Sequence, residues 1–187
     1  IGMVNRTQFQ SEPSVAFSRG TTFPNWSGSK WARRALADAN LGSAVDINLT
    51  GNYDPASRNL SVTVLTSFVD YLPPNKNFWI SLMVVEDNVS GVGPLYDQRN
   101  GYQWASGHFY AGQGDPILNY RHKRVMRDIL PDVKGDSLVI PANYNLNTAY
   151  SRSFTFVLDS AWDENEISLI GIIFNEEINK DNNGILN

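Results

Sequence analysis

The chain has 187 residues, 42% of them hydrophobic, 12% aromatic and 18% charged, which suits one domain with a real core and excludes intrinsic disorder. Its net charge of −4 argues against general nucleic-acid binding, which leans on a basic surface. It has no cysteine, so disulfides, thiol redox chemistry and cysteine-ligated zinc are excluded. No apolar run approaches the ~20 residues that span a bilayer as a helix. The chain opens at Ile1-Gly2, with neither an initiator methionine nor a signal peptide. The expectation is a mature segment of a longer protein, with targeting information upstream.

The first 41 residues are mixed. Gly2 to Arg6 reads as a short strand end, and Phe9 to Asn25, with Pro13 and Pro24, as a loop. Ser27 is the expected N-cap of a helix over Lys30 to Asn40, with Trp31, Ala35 and Leu36 near one face. Leu41-Gly42 stops it.

From Ala44 the period changes to two. Val45, Ile47 and Leu49 alternate with Asp46, Asn48 and Thr50. Asp54-Pro55-Ala56-Ser57 is turn chemistry. Leu60, Val62, Val64 and Thr66 then alternate with Ser61, Thr63 and Leu65. Phe78 to Glu86 is almost continuously apolar, as expected of a central strand covered on both faces. Further strands are expected at Arg121–Leu130, Ser137–Ile140, Ser151–Leu158 and Glu166–Phe174, with polar turns at Asp132–Asp136 and Asp159–Asn165. About seven strands at this spacing imply an antiparallel β-sandwich, immunoglobulin-like or jelly-roll in type.

Between the third and fourth strands lies a loop of about thirty residues, Asn88 to Asn119. Compact domains rarely carry loops beyond ~12–15 residues without a reason. It holds Tyr96, Tyr102, Trp104, His108, Phe109 and Tyr110, with six glycines. Such rings supply rigid contact area for sugars or protein partners. The competing reading is structural: the rings fold back and plug one end of the sandwich. Tyr102 and Trp104 are the best binding candidates.

The next strand carries Arg121, His122, Lys123, Arg124 and Arg127. Strict alternation puts Arg121, Lys123, Val125, Arg127 and Ile129 on one side. Charge on both sides suggests an edge strand guarded against association. The functional alternative is an anionic ligand, such as an acidic glycan, held by Arg121 and Arg124. A lone histidine among arginines is a poor metal ligand, so His122 is expected to be structural.

Other motifs carry less. Gly135-Asp136-Ser137-Leu138 spells a hydrolase motif, but that chemistry needs an α/β turn and an Asp-x-x-His partner, and the chain has no Asp-x-x-His. Asn179-x-Asp181-x-Asn183-Gly184 resembles the start of a calcium loop without its closing glutamate, and a polar turn is expected there. The acid pairs Glu86-Asp87 and Glu176-Glu177 point to opposite faces of a strand and are expected as solvated strand ends. No catalytic residue, metal site or cofactor is assigned.

EDNV at Glu86–Val89, Gln98, YRHKRVMRDIL at Tyr120–Leu130 and FNEEINKDNNGILN at the end resemble one pattern. It is similar to the twenty-eight-kilodalton outer-membrane lipoprotein family of Bacteroidetes. The matching positions are Glu86, Asp87, Gln98, His122, Val125 and Arg127. Arg124 stands where the family often has a second histidine. The resemblance covers roughly Ala44 to Asn187, and the first forty residues resemble the tail of a thioredoxin-like domain. Two units are therefore expected, a strand-loop-helix remnant over 1–41 and a β-sandwich over 44–187. The resemblance implies a surface protein, lipid-anchored to the outer membrane through a segment outside this chain. It implies a non-catalytic adhesin or receptor for a host protein or glycan. The alternative is an accessory domain of a thioredoxin-like envelope protein.

Overall fold

A computed structural model describes residues 30–40, 42–72, 77–137 and 139–176. The expected strand end Gly2–Arg6, the loop before the helix, the Ser27 cap, Glu177 and the Asn179–Gly184 turn lie outside the described residues. The helix α1 spans Lys30–Ala39. Trp31, Ala32 and Arg34 are half-buried on it, whereas Ala35 and Leu36 are exposed, so the expected apolar face is only partly used.

Six strands follow: β1 Val45–Asp54, β2 Asn59–Phe68, β3 Asn77–Glu86, β4 Val125–Leu130, β5 Ala149–Val157 and β6 Ile167–Glu176. They form two antiparallel three-stranded sheets, ordered β1-β2-β5 and β4-β3-β6. The mainly β, sandwich-like architecture is the one that the period of two predicts.

Alternation decides which face is core. On β2 the side chains of Leu60, Val62, Val64, Thr66 and Phe68 are buried. On β3, Phe78, Ile80, Leu82 and Val84 meet them from the other sheet, and Ile173 of β6 joins the same core. Each such burial stabilises the fold by roughly 1.5–3 kcal/mol. The other face of β3 is also closed, since Ser81 and Val85 are buried, as its unbroken apolar run implies. At one end Phe68 stacks on Tyr144 and meets Phe78 and Tyr150 edge-on. Tyr144 sits in the β4–β5 crossover, where its hydroxyl accepts the Leu72 amide at 2.7 Å.

Two expected strands are corrected. Ser137, Val139 and Ile140, the described residues of Ser137–Ile140, lie in no strand; instead Asp136 makes an isolated two-way bridge with Ile80, and Ile140 enters the core from a bend. Arg121–Leu130 is a strand only from Val125. Arg124 takes a left-handed φ of 53°, which breaks the extension, so the expected alternation of Arg121 and Lys123 with Arg127 does not exist. Arg127 faces inward for a different reason. Val84 pairs with Asp128 and Val85 with Met126, leaving Arg127 as the extra residue of a β-bulge. β4 does lie at a sheet edge.

Candidate binding loop

The 38 residues between β3 and β4 build their own framework. At the base, Val89 and His122 exchange both amide hydrogen bonds, at 3.0 and 2.8 Å. Further out, Gln98 and Ile117 do the same. The Asp87 carboxylate accepts the Arg124 amide at 2.6 Å, and Asp97 accepts the Asn119 amide at 3.3 Å. These four ties fold the two arms of the loop into a ribbon.

Beyond the ribbon the chain closes around Asn100, which is buried. Its side-chain amide donates to the carbonyls of Tyr110 and Gly114, both at 2.8 Å, and its oxygen accepts the Tyr102 amide. Its own amide donates to Asp115. Gln103 accepts from Gly114 beside it. Backbone carbonyls in a loop have no ladder to satisfy them, and one asparagine here supplies the donors.

The rings divide into two sets. Tyr102 lies flat on His108, with centroids 3.9 Å apart. His108 Nδ1 accepts the Tyr110 amide, and the Tyr110 and Tyr120 hydroxyls bond each other at 2.8 Å. That bond raises the Tyr120 phenol above its usual value. The His122 ring meets Tyr120 edge-on and donates from Nε2 to the Tyr96 carbonyl at 3.0 Å. These rings are half-buried and hold the loop together. The second set faces water: Trp104 is 91% exposed and Phe109 80%, with Val92, Leu95 and Leu118 also largely open. Tyr96 is partly exposed, its ring lying over Gly91, where a Cβ would collide with it.

The structure therefore brings Tyr102, His108 and Tyr110 together as an internal stack, with Trp104 outside it. Arg121 and Arg124 lie at the base, exposed, and make no ion pair among the described residues. Asn100 is the feature that ring-counting passes over, and the exposure of Phe109 is one that it leaves undecided. An asparagine beside a glycine carries no signal for burial; only its five partners, Gln103 among them, reveal it.

The expected solvated acid Glu86 is corrected as well. It is 5% exposed, and Oε2 lies 2.6 Å from Arg127 Nε. The bulge at Arg127 aims the guanidinium at it, a pairing that adjacent-residue geometry alone cannot show. The hydrolase-like string has structural duties. Gly135, at φ 77°, crosses β3 so closely that a Cβ would meet Ser81 Oγ at 2.7 Å. Asp136 forms an ion pair with Arg152 of β5, Oδ2 to Nε 2.8 Å, off the line of an aligned hydrogen bond. Ser137 follows the bridge to Ile80, whereas His108 and His122 lie beyond Glu86. The rise of β3 from Ile80 to Glu86, on the order of 20 Å, separates Ser137 from the base of the loop. Among the described residues no three acids or histidines are placed to hold a metal, and no helix is long and apolar enough to cross a membrane.

Fold and site together define a two-sheet β-sandwich with one enlarged, self-braced loop between β3 and β4. Residues 4–187 match the model of the family described as outer membrane protein Omp28, and the chain belongs to that outer-membrane family. Neither a curated protein nor a solved structure matches it. Of the positions that the sequence resemblance marks, Glu86, Asp87, His122 and Arg127 tie the base of this loop, Gln98 pairs further out and Val125 opens β4.

Proposed function

We propose that this chain is the non-catalytic surface module of a lipid-anchored outer-membrane protein of Bacteroidetes type, an adhesin or receptor for a host protein or glycan. The loop between β3 and β4 is its binding element. One observation carries the reading: Trp104 and Phe109 stand almost fully in water on a frame whose polar groups are already bonded to one another. A large ring held exposed by a rigid support loses little entropy when a partner covers it. Tyr102, His108 and Tyr110 act as the support, and Tyr96 forms the rim. Charge adds to this. The 38 residues between β3 and β4 hold four Arg and Lys against three Asp, a local excess of one positive charge in an acidic chain. Arg121 and Arg124 favour anionic groups on the ligand.

The test is a binding screen of the purified chain against immobilised matrix proteins and a glycan panel, with Trp104→Ala alongside. A saturable ligand that loses about tenfold or more in affinity with Trp104→Ala supports the reading. A ligand bound equally by both proteins moves the site to Arg121 and Arg124. No ligand for a folded sample sinks the adhesin reading in favour of an accessory role.

A further inference from the structure

Of the four edge strands β1, β4, β5 and β6, two carry visible guards against pairing with another chain. β4 is short, bulged and carries Arg127 and Asp128. β5 turns Arg152 toward Asp136 on the other sheet. Bulges and inward charges of this kind keep edges from pairing with other chains. β1 has neither. It is ten residues long, pairs with β2 over its whole length without a register shift, and reads VDINLTGNYD, with no Lys, Arg or Pro. Its outer edge has no strand partner among the described residues.

The core beside that edge is incompletely covered. Inward-facing residues of β2 are buried, but Ile47, Leu49 and Tyr53 of β1 are only half-buried. Position 51, on the same face, is a glycine. A cleft of about 270 Å³ opens there, lined by Leu49, Gly51, Tyr53, Leu60, Val62 and Leu169. It falls below the ~300–1,000 Å³ of small-molecule sites, but it is open along a strand, where alternate side chains of an added strand would enter.

Charge selects the occupant. Asp46 and Asp54 sit on the outward face at the two ends of β1, eight residues apart and both exposed. A second copy of β1 paired antiparallel about Thr50 would set Asp46 against Asp54 twice, which is unfavourable. We propose that the β1 edge docks an extended segment of a partner protein, with apolar side chains at alternate positions and cations about eight residues apart at its ends. The segment extends the β1-β2-β5 sheet, its apolar side chains fill the cleft, and its cations face Asp46 and Asp54. This site is separate from the β3–β4 loop and stands whatever that loop binds.

The test uses the full chain and the capped synthetic peptide Lys-Val-Thr-Val-Thr-Val-Thr-Val-Lys, with a Glu-ended peptide of the same core as control. Amide spectra and hydrogen exchange locate the contact. The proposal expects saturable binding that protects amides of Val45–Asp54, about tenfold weaker for the Glu-ended peptide. Asp46→Lys, on an exposed position, narrows or reverses that preference. Equal binding of both peptides, shifts confined to the β3–β4 loop, or no binding overturns it. So does self-association of the chain alone that protects the same amides, because the occupant is then a second copy.

Discussion

Glu86, the last residue of β3, takes Arg127 on one carboxylate oxygen at 2.6 Å and the Asp163 amide on the other at 3.0 Å. A single buried carboxylate thereby joins β3, the bulge of β4 and the approach to β6. Removing one member of a buried pair costs ~3–5 kcal/mol, because the other charge stays behind. Arg127 is 26% exposed, so water relieves part of this. Arg127→Met is expected to lower unfolding stability by about 2–4 kcal/mol, read from the urea midpoint. Glu86→Gln, which keeps an acceptor for Asp163, is expected to cost less. If the double variant is no worse than Arg127→Met alone, the two side chains act as one unit.

Gly135 and Ser81 make a second coupled pair, with opposite signs. Gly135 combines φ 77° with a backbone laid against Ile80 O and Ser81 Oγ. A methyl group there meets both strain and collision. Gly135→Ala is expected to destabilise the fold by about 1–3 kcal/mol. The Ser81 hydroxyl beneath is buried and has no hydrogen-bond partner among the described residues. Ser81→Ala removes an unpaired polar group and is expected to be neutral or to stabilise by up to about 1 kcal/mol. Thermal midpoints of the two variants, shifted in the same direction, would refute this account.

The sheets were legible where one physical rule acts alone. β1 and β2 alternate because each has one wet and one dry face, and β3 does not because both its faces are covered. The reading failed where backbone geometry intervenes. Arg124 looks like strand but sits in the left-handed region, tied there by Asp87, and nothing in KRV marks it. Val139 and Ile140 look like strand because they are β-branched, yet they pack from a bend whose backbone is fixed by the Asp136–Ile80 bridge. The loop was legible as a feature, through its length and rings. Its sorting into internal supports and exposed tips was not. That sorting depends on Asn100 meeting carbonyls ten and fourteen residues away, which no local pattern encodes.

Asn100 gives the prediction that separates loop from fold. Its bonds lie wholly within the loop, at Tyr102, Gln103, Tyr110, Gly114 and Asp115. Asn100→Ala strips two carbonyls of their donor and one amide of its acceptor, worth about 1–3 kcal/mol of local stability. The expected outcome is faster amide exchange and proteolysis between Gln98 and Ile117, with the strand amides unchanged. A matching loss of protection in β2 and β3 would show that the loop and sandwich unfold as one unit.

Tyr53 and Arg58 meet at Glu164, across the β1–β2 turn from the short helical turn before β6. The Tyr53 hydroxyl donates to Glu164 Oε2, and Arg58 Nη1 reaches the same oxygen at 2.8 Å. Arg58 also donates to the carbonyls of Leu158, Asp159 and Trp162. The hydrogen bond to Glu164 holds the Tyr53 phenol above its ordinary value. A group whose folded value is raised contributes stability below its unfolded value and loses it as pH rises through the folded one. For a phenol the window therefore opens near pH ~10 and extends upward. Beside Tyr120, whose phenol is raised by its bond to Tyr110, phenolate absorbance should show a second late tyrosine in the native chain, Tyr53. Glu164→Gln removes the carboxylate charge and should return that tyrosine toward the ordinary range, while the three Arg58–carbonyl bonds keep the turn in place. A Glu164→Gln variant that keeps both late tyrosines would refute the assignment to Tyr53.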